Sequence, residues 1–380
     1  MKKVLFLQIK GKSYAGVWNV NKLIGEELLK KDYTVHIVSI RNNQNNIELK
    51  HDPKLVLKTI NEKDVWETKH LNDLINELKN IHMISAVGII LEKIKYNISI
   101  KKDIKKLHAY IYDYKPDYII TSHYQLLDMI PKEYLNKTIH EQHSSFKDAM
   151  SNKANKKAFD KYNNKVKFLW LTKNTMDFAI KKGYNNNAYI YNAVRIKSEK
   201  RADVINNKKL ITIARLSKDK SIDKMINIAE DIFKEEKYQD WSLEIYGDGD
   251  EFNHLSSLIK NKKQIKLMGL TDNPKEKLLS SSINLNTSKY EGFSLSILEA
   301  NECGVPTIAF DFGESTQEQI LDNKTGIIAK DIDEYKEKLK ELMNNQEKLE
   351  RLSKNAKEFS KNFSIDKIID KWIELFNEIK

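Results

Sequence analysis

Two glutamates, Glu291 and Glu299, lie on either side of a short turn that contains Gly292. The apolar residues after the turn repeat at helical spacing, which predicts a helix that begins near Leu295. A glycine lets the backbone approach a ligand closely, and the first N–H groups of a helix attract phosphate. Because phosphate binds poorly beside carboxylates, the two acids are expected to hold ligand hydroxyls, as an acid holds ribose in dinucleotide-binding folds. Solvated side chains at a turn and a helix terminus are the alternative.

The elements that position this turn are a strand, a helix and a second strand. Apolar runs at 283–285 and 307–310 predict two short buried strands. Gly304 and Pro306 follow the helix in the order typical of a helix C-terminus. This succession is typical of a parallel α/β sheet, and the N–H groups of residues 293–296 are expected to be free at the helix start.

Other apolar and periodic stretches extend the α/β pattern over the chain. Strands are predicted at 2–9, 34–40, 117–121, 137–141, 166–171, 188–191, 209–214, 242–246 and 265–270. Helices are predicted at 21–30, 64–111, 333–344, 346–361 and 363–379. The polar stretch 195–208 predicts a linker. A chain of 380 residues is long for one core, so two domains are expected.

Composition indicates an ordinary soluble protein, with 40% hydrophobic and 31% charged residues. No apolar run is long enough to span a bilayer, and the N-terminal apolar stretch is too short for a signal peptide. The single cysteine, Cys303, excludes an internal disulfide and is expected to fill the core. These features favour a cytoplasmic location.

The charge is unevenly distributed. Residues 1–200 hold 36 Lys and Arg against 21 Asp and Glu, whereas residues 201–380 hold 29 against 33. The basic half indicates an anionic partner, such as a membrane surface, an anionic polymer or nucleic acid, or else a solvated lysine-rich surface. The apolar stretch 81–91, followed by the lysine-rich stretch 93–106, suits either the core or a membrane interface, and the core is favoured.

The central motif, YEGFSLSILEANECGVP, resembles the E-x7-E signature of retaining GT-B glycosyltransferases, and of the GT4 group in particular. It departs from that signature at Ser294, where a glycine is common, and at Asn301 and Glu302. The resemblance implies two Rossmann-like domains that face each other across a cleft. It implies an acceptor-side domain at 1–195, a nucleotide-sugar domain at 196–362, and a helix at 363–380 that crosses back.

The same resemblance implies roles for individual residues. The segment ARLSKDKS is similar to the G-R-L-x-x-x-K-G motif of the family, with Ser221 in place of the last glycine. Arg215 and Lys220 would bind the donor diphosphate, and Glu299 the ribose. HEQHSSF is similar to E-H-x-x-F, so His143, rather than His140, would contact the donor sugar together with Glu291.

Further donor contacts are implied through turns and backbone groups, at Gly16, Gly247, Leu267, Met268, Gly269, Leu270, Gly292, Phe293, Ser294 and Leu295. At Gly16 the resemblance is weak, because the loop lacks the double glycine that is usual in the family. Asp248 and Asp250 form a D-x-D pair, which could bind a divalent metal. The run GDGDE also resembles a turn of the family that binds no metal, and this interpretation is favoured.

The implied reaction transfers glucose or N-acetylglucosamine from a UDP-sugar, with retention and without a metal or an organic cofactor. The implied acceptor is a glycan, a lipid-linked sugar or an anionic polymer of the cell surface, such as capsule, exopolysaccharide or teichoic acid. Action at the inner face of the plasma membrane would suit the basic half, and no nucleic-acid partner is expected. A non-catalytic partner subunit and a nucleotide-sugar epimerase of the same fold remain alternatives.

Overall fold

The structure, a computed structural model, describes residues 1–10, 16–41, 50–61 and 83–379, and the side chains of all of these except 83–97. The described residues form two sheets flanked by helices. Chain contacts divide them into two compact units. The first comprises Met1–Glu141, Lys153–Leu169 and Glu374–Lys380, and the second comprises Gln142–Asn152 and Trp170–Ile373. The predicted domain limits at 195 and 362 remain predictions.

The first sheet has seven strands in the order β3-β2-β1-β4-β5-β6-β7. The strands are β1 (Lys3–Lys10), β2 (Thr34–Arg41), β3 (Val56–Asn61), β4 (Tyr118–Thr121), β5 (Thr138–Gln142), β6 (Lys167–Trp170) and β7 (Asn187–Tyr189). The pairs from β3 to β5 are parallel. Leu5, Leu7 and Ile119 are buried in one core of this unit, because strands covered on both faces need apolar side chains on both.

The second sheet has six strands in the order β10-β9-β8-β11-β12-β13. The strands are β8 (Lys209–Ile213), β9 (Ser242–Tyr246), β10 (Ile265–Gly269), β11 (Ile283–Asn286), β12 (Thr307–Phe310) and β13 (Gly326–Ala329), and all five pairings are parallel. Counted from β8, this is the strand order 3-2-1-4-5-6 of a Rossmann sheet, which reverses between β8 and β11. The α/β prediction with Rossmann-like sheets is confirmed.

Helices alternate with the strands. They are α1 (Gly16–Lys30), α2 (Met83–Tyr114), α3 (Tyr124–Leu127), α4 (Phe146–Ser151), α5 (Lys153–Tyr162), α6 (Lys173–Lys181), α7 (Ile222–Phe233), α8 (Phe252–Ile259), α9 (Pro274–Leu279), α10 (Leu295–Glu302), α11 (Thr316–Gln319), α12 (Ile332–Asn344), α13 (Gln346–Ser360) and α14 (Ile365–Glu378). Short 3-10 turns occupy Lys132–Lys137, Glu236–Tyr238 and Lys361–Phe363. Within the described ranges, no helix is long and apolar enough to cross a membrane.

Several predicted elements need correction. Strands β3 and β13 were not predicted, and α1 begins at Gly16 rather than at residue 21. The predicted helix 64–111 corresponds to α2 from residue 83 onwards, and its earlier part lies outside the described residues. The stretch 81–91 also has no described side chains, so its placement in the core or at an interface stays a prediction. The predicted linker 195–208 has no regular structure, but it packs against the second core through Ala202 and Val204.

Candidate active site

The turn between β11 and α10 lies at the carboxyl edge of the second sheet. Strand β11 pairs with β8 on one side and with β12 on the other, so the turn adjoins the point where the strand order reverses. In open α/β sheets, ligands bind at the carboxyl ends of the strands near this reversal. The loop after β8, which carries Arg215 and Lys220, leaves the sheet at the same edge.

Lys220 and Glu291 form an ion pair at this edge. The Nζ atom of Lys220 is 2.6 Å from Oε1 of Glu291, and the side chains are 17% and 13% exposed. The Ser288 hydroxyl donates to the same oxygen at 2.8 Å. The Ser315 hydroxyl donates to the Glu291 carbonyl at 2.8 Å. Both the backbone and the carboxylate of Glu291 are therefore fixed beside a partly buried ammonium group.

The backbone of Lys220 and Ser221 is fixed to the end of β11. The Thr287 hydroxyl donates to the carbonyls of Lys220 and Ser221, each at 3.0 Å. Ser221 has φ 48° and ψ 45°, which is the left-handed region that favours glycine. This conformation gives a physical reason for the glycine that the family motif carries at the same place.

The loop after β5 approaches the turn at Gly292. A Cβ atom built on Gly292 would lie 2.1 Å from the carbonyl oxygen of His143, so no larger residue fits without a shift of the backbone. This contact brings His143 next to the proposed donor site. His140 lies inside β5, is fully buried, and packs edge-on against Phe159 and Phe168. Of the two histidines, His143 is therefore the one beside the turn.

Two amide side chains form hydrogen bonds with the backbone at the start of α10. The Ser294 N–H donates to Oε1 of Gln319 at 2.6 Å, so the expectation that residues 293–296 all keep free N–H groups was wrong at Ser294. The carbonyl of Phe293 accepts from Nδ2 of Asn192 at 3.0 Å. The N–H groups of Leu295 and Ser296 begin the helix and lack intrahelical acceptors, so they are the donors that remain for an anion.

Glu299 lies one turn into α10 and is 2% exposed. The Arg195 side chain contacts its Oε1 atom through Nε at 2.7 Å and through Nη2 at 2.5 Å. Burial raises the pKa of the Glu299 carboxyl above its usual value, and Arg195 opposes this rise. Sequence reasoning placed Arg195 only at the start of a linker, because nothing in the neighbouring residues marked its partner.

Arg215 is the exposed cation of the site, with 70% of its side chain accessible. Its Nε atom donates to the Ser217 hydroxyl at 3.2 Å, and Nη2 lies 3.5 Å from Asp219. The loop rests on the turn after β9, where a Cβ atom on Gly247 would lie 1.8 Å from the Ala214 carbonyl oxygen. Glycine at 247 therefore serves the packing of the loop that carries Arg215.

Strand β10 is an edge strand, and its register against β9 shifts between Leu267 and Gly269. Met268 and Leu270 are 43% and 60% exposed. Gly269 has φ 72°, and its carbonyl accepts from the N–H of Gly247 at 2.8 Å. Because an edge strand leaves backbone groups unpaired, this segment can present them to a ligand, which suits the role that the resemblance implies.

Asp248, Asp250 and Gly16 are the remaining predicted residues. Asp248 and Asp250 are exposed, and Oδ1 of Asp248 accepts from the N–H of Gly249 at 2.8 Å. Among the described residues, no group of three His, Cys, Asp or Glu side chains could hold a metal ion. Gly16 is the exposed first residue of α1 and belongs to the first unit.

Several known proteins are similar to this chain. Residues 195–359 match the family described as glycosyl transferases group 1. A poly(ribitol-phosphate) alpha-N-acetylglucosaminyltransferase from Staphylococcus aureus is 30% identical over 171 residues, which are 43% of this chain and 34% of that one. A poly(glycerol-phosphate) alpha-glucosyltransferase from Bacillus subtilis is 23% identical over 391 residues, which cover 96% of this chain and 56% of that one. The chain thus matches only about a third to a half of the length of these two relatives.

A solved structure shares the fold over nearly the whole chain. A point mutant of TarM from S. aureus, in complex with Fondaparinux, alpha-GlcNAc-glycerol and UDP, superposes with a TM-score of 0.76 at 17% identity, and covers 99% of this chain and 100% of that one. The chain therefore has the GT-B fold. The segment that matches the glycosyl transferases group 1 family, residues 195–359, contains Arg215, Lys220, Glu291 and Glu299.

Proposed function

We propose that this protein is a retaining glycosyltransferase that moves glucose or N-acetylglucosamine from a UDP-sugar to an acceptor hydroxyl in cell-surface glycan synthesis. The observation that carries the proposal is the pairing of Lys220 with Glu291 at 2.6 Å beside the start of α10. This arrangement places a cation and helix N–H groups, which suit a diphosphate, next to a carboxylate, which suits sugar hydroxyls.

The cations act on the leaving group. As the bond between C1 of the sugar and the diphosphate oxygen breaks, the sugar gains oxocarbenium character and the diphosphate gains negative charge. Fixed positive groups stabilise that charge most when it is greatest, which lowers the barrier. An ammonium group has three donors, so Lys220 can contact a phosphate oxygen while it stays bonded to Glu291. Arg215, which is largely exposed, can approach the same diphosphate from the neighbouring loop.

Retention follows if the acceptor enters on the face from which the diphosphate leaves. The acceptor oxygen then bonds to C1, and its proton passes to the departing phosphate oxygen. In this scheme Glu291 and His143 orient the donor sugar, and Glu299 binds the ribose. The names of the S. aureus and B. subtilis relatives describe alpha-transferases. Because UDP-glucose and UDP-N-acetylglucosamine carry their sugar as the α anomer, an α product would mean retention.

The acceptor is proposed to be an anionic polymer of the cell surface. The names of the S. aureus and B. subtilis relatives specify poly(ribitol-phosphate) and poly(glycerol-phosphate). Residues 1–200 carry 36 basic against 21 acidic residues, and this excess would attract a polyphosphate chain. A glycan or a lipid-linked acceptor at the inner face of the plasma membrane would also suit this charge.

The deciding experiment supplies the purified protein with labelled UDP-glucose or UDP-N-acetylglucosamine, with and without poly(glycerol-phosphate) or poly(ribitol-phosphate). We expect acceptor-dependent release of UDP and an α-linked product, identified by the proton coupling constant at C1. A new nucleotide sugar formed without an acceptor would instead indicate an epimerase. If UDP is released from neither donor, with or without either polymer, the proposal fails and a non-catalytic partner subunit is favoured.

Turnover is proposed to need no divalent metal, because Arg215, Lys220 and the start of α10 supply the positive charge. The rate should therefore survive treatment with EDTA. An enzyme that stops in EDTA and recovers with manganese would show that Asp248 and Asp250 hold a metal after all.

A further inference from the structure

Glu299 and Arg195 form a buried contact in which only the glutamate belongs to the predicted set of site residues. Glu299 is 2% exposed, whereas the side chain of Arg195 is 29% exposed. Both nitrogen contacts, at 2.7 Å and 2.5 Å, fall on Oε1 of the carboxylate. Oε2 is thus the oxygen that a ligand hydroxyl could reach.

A carboxylate that is removed from water tends to take up a proton, and a protonated carboxyl accepts hydrogen bonds weakly. An arginine keeps its charge at any physiological pH and can donate from two nitrogens to one carboxylate. The contact therefore does two things. It favours the ionised form of Glu299, and it fixes the direction of the second oxygen.

Other charged groups near α10 are engaged elsewhere. Lys357 of α13 lies 2.9 Å from Glu302 and also donates to its carbonyl at 2.6 Å. Lys275 of α9 donates to the carbonyl of Lys197 at 3.4 Å. The Cys303 thiol is neutral, since burial raises its pKa to about 12. Within the described part of the chain, Arg195 is therefore the cation that acts on the Glu299 carboxylate.

We propose that Arg195 is a positioning residue that keeps Glu299 ionised and oriented to accept the ribose hydroxyls of the bound nucleotide. The inference rests on the proposed function, because it assumes a nucleotide at this site. In this proposal Arg195 does not contact the donor. The affinity for UDP nevertheless depends on Arg195, which lies in the segment before β8.

The test measures UDP binding by calorimetry from about pH 5.5 to pH 8. The variants are Arg195→Met, Arg195→Lys, and Arg195→Met combined with Glu299→Gln. Without the guanidinium, Glu299 should be protonated at a higher pH, so the affinity of Arg195→Met should fall further than that of the native protein as the pH decreases. The loss of one charge-assisted contact should reach on the order of tenfold at the acid end.

Two comparisons isolate the effect. The Arg195→Met variant that also carries Glu299→Gln should lose the added pH dependence, since an amide at this position cannot titrate, and Arg195→Lys should restore most of the native profile. Arg201→Met is the matched control, because Arg201 is also 29% exposed and pairs with Glu350 at 2.6 Å. It should lower thermal stability and leave the pH profile unchanged.

The outcomes separate the inference from the proposed function. If the native protein binds no UDP, the proposed function fails. If the native protein binds UDP and Arg195→Met lowers stability without any change in its pH profile of binding, Arg195 is only structural and the inference is overturned. The same holds if Arg201→Met changes the profile as much as Arg195→Met does.

Discussion

Gly292 and His143 are in direct backbone contact. A Cβ atom on Gly292 would lie 2.1 Å from the His143 carbonyl oxygen and 3.2 Å from the Ser144 nitrogen. Gly292 does not have a positive φ, so the glycine is needed for space and not for an unusual conformation. The sequence predicted that this glycine admits a ligand to the backbone. The structure shows that it also admits the loop after β5, which places His143 beside Glu291.

Gly292→Ala should separate that loop from the turn. The backbone must move by about an ångström to relieve the contact, and a displacement of this size can reduce turnover about 100-fold. Steady-state rates with the UDP-sugar donor and thermal unfolding would measure the effect. Gly183→Ala is the control for destabilisation alone: an added Cβ would have nothing within 4 Å, but the φ of 92° strains any side chain, so stability should fall while turnover stays native. Native turnover in Gly292→Ala would show that the contact has no part in donor binding.

Lys220→Ala should reduce donor turnover while the protein stays folded. The substitution removes a cation beside the proposed diphosphate and leaves Glu291, which is 13% exposed, without its cationic partner. Loss of one such contact should raise the barrier by about 2–4 kcal/mol, or about 30- to 1000-fold in rate. Initial rates and circular dichroism would measure both properties. Lys218→Ala, which changes an exposed lysine on the same loop, should keep the native rate. Equal rates in the two variants would contradict the assignment.

Five of the six strands of the second sheet were predicted, among them 242–246 and 307–310, whose apolar runs are largely buried. Strand β3 escaped prediction because none of its six residues is fully buried, so it lacks the apolar run of a core strand. Short helices such as α3, with four residues, are too brief to show a helical period. Burial alone does not decide which strands the sequence reveals, because β13 is largely buried and was not predicted, whereas the half-buried β7 was.

Only the part of the candidate site that lies within one stretch of sequence could be predicted from the residues themselves. Glu291, Gly292 and Glu299 lie within one motif, whereas Lys220 came from a resemblance to a family. The contact of Arg195 with Glu299 joins residues 104 positions apart, and that of Ser294 with Gln319 joins residues 25 apart. Such pairs leave no periodic trace in a single sequence. They are set by how the segments pack at the carboxyl edge of the sheet.

Cys303 should be inert in the native protein. Its side chain is fully buried, and burial raises the pKa of the thiol to about 12, so almost no thiolate exists below about pH 9. A thiol-specific reagent at neutral pH should give no signal with the folded protein and one equivalent after unfolding in guanidinium. The result is unambiguous because the chain has a single cysteine. Rapid modification of the folded protein would mean that the Cys303 thiol is accessible and could act as a nucleophile.

The final prediction concerns the basic half. Lys101, Lys102, Lys105 and Lys106 are exposed on α2. Each lysine near an anionic bilayer adds about 1 kcal/mol of attraction, which fades within a Debye length of about 8 Å at physiological salt. Binding to anionic vesicles should therefore weaken steeply as salt rises, and neutral vesicles should bind poorly. Sedimentation with vesicles of each composition would measure both.

Changing these four lysines to glutamate should weaken vesicle binding further, without altering turnover of the free donor, because the lysines belong to the first unit. The matched control changes four exposed lysines of the second unit, Lys234, Lys237, Lys354 and Lys361, which alters the net charge equally. If both sets reduce binding alike, the attraction reflects net charge and α2 is not its site. If vesicle binding changes neither with salt nor with either set of four substitutions, the lysines form a solvated surface. The acceptor then need not be anionic or membrane-borne.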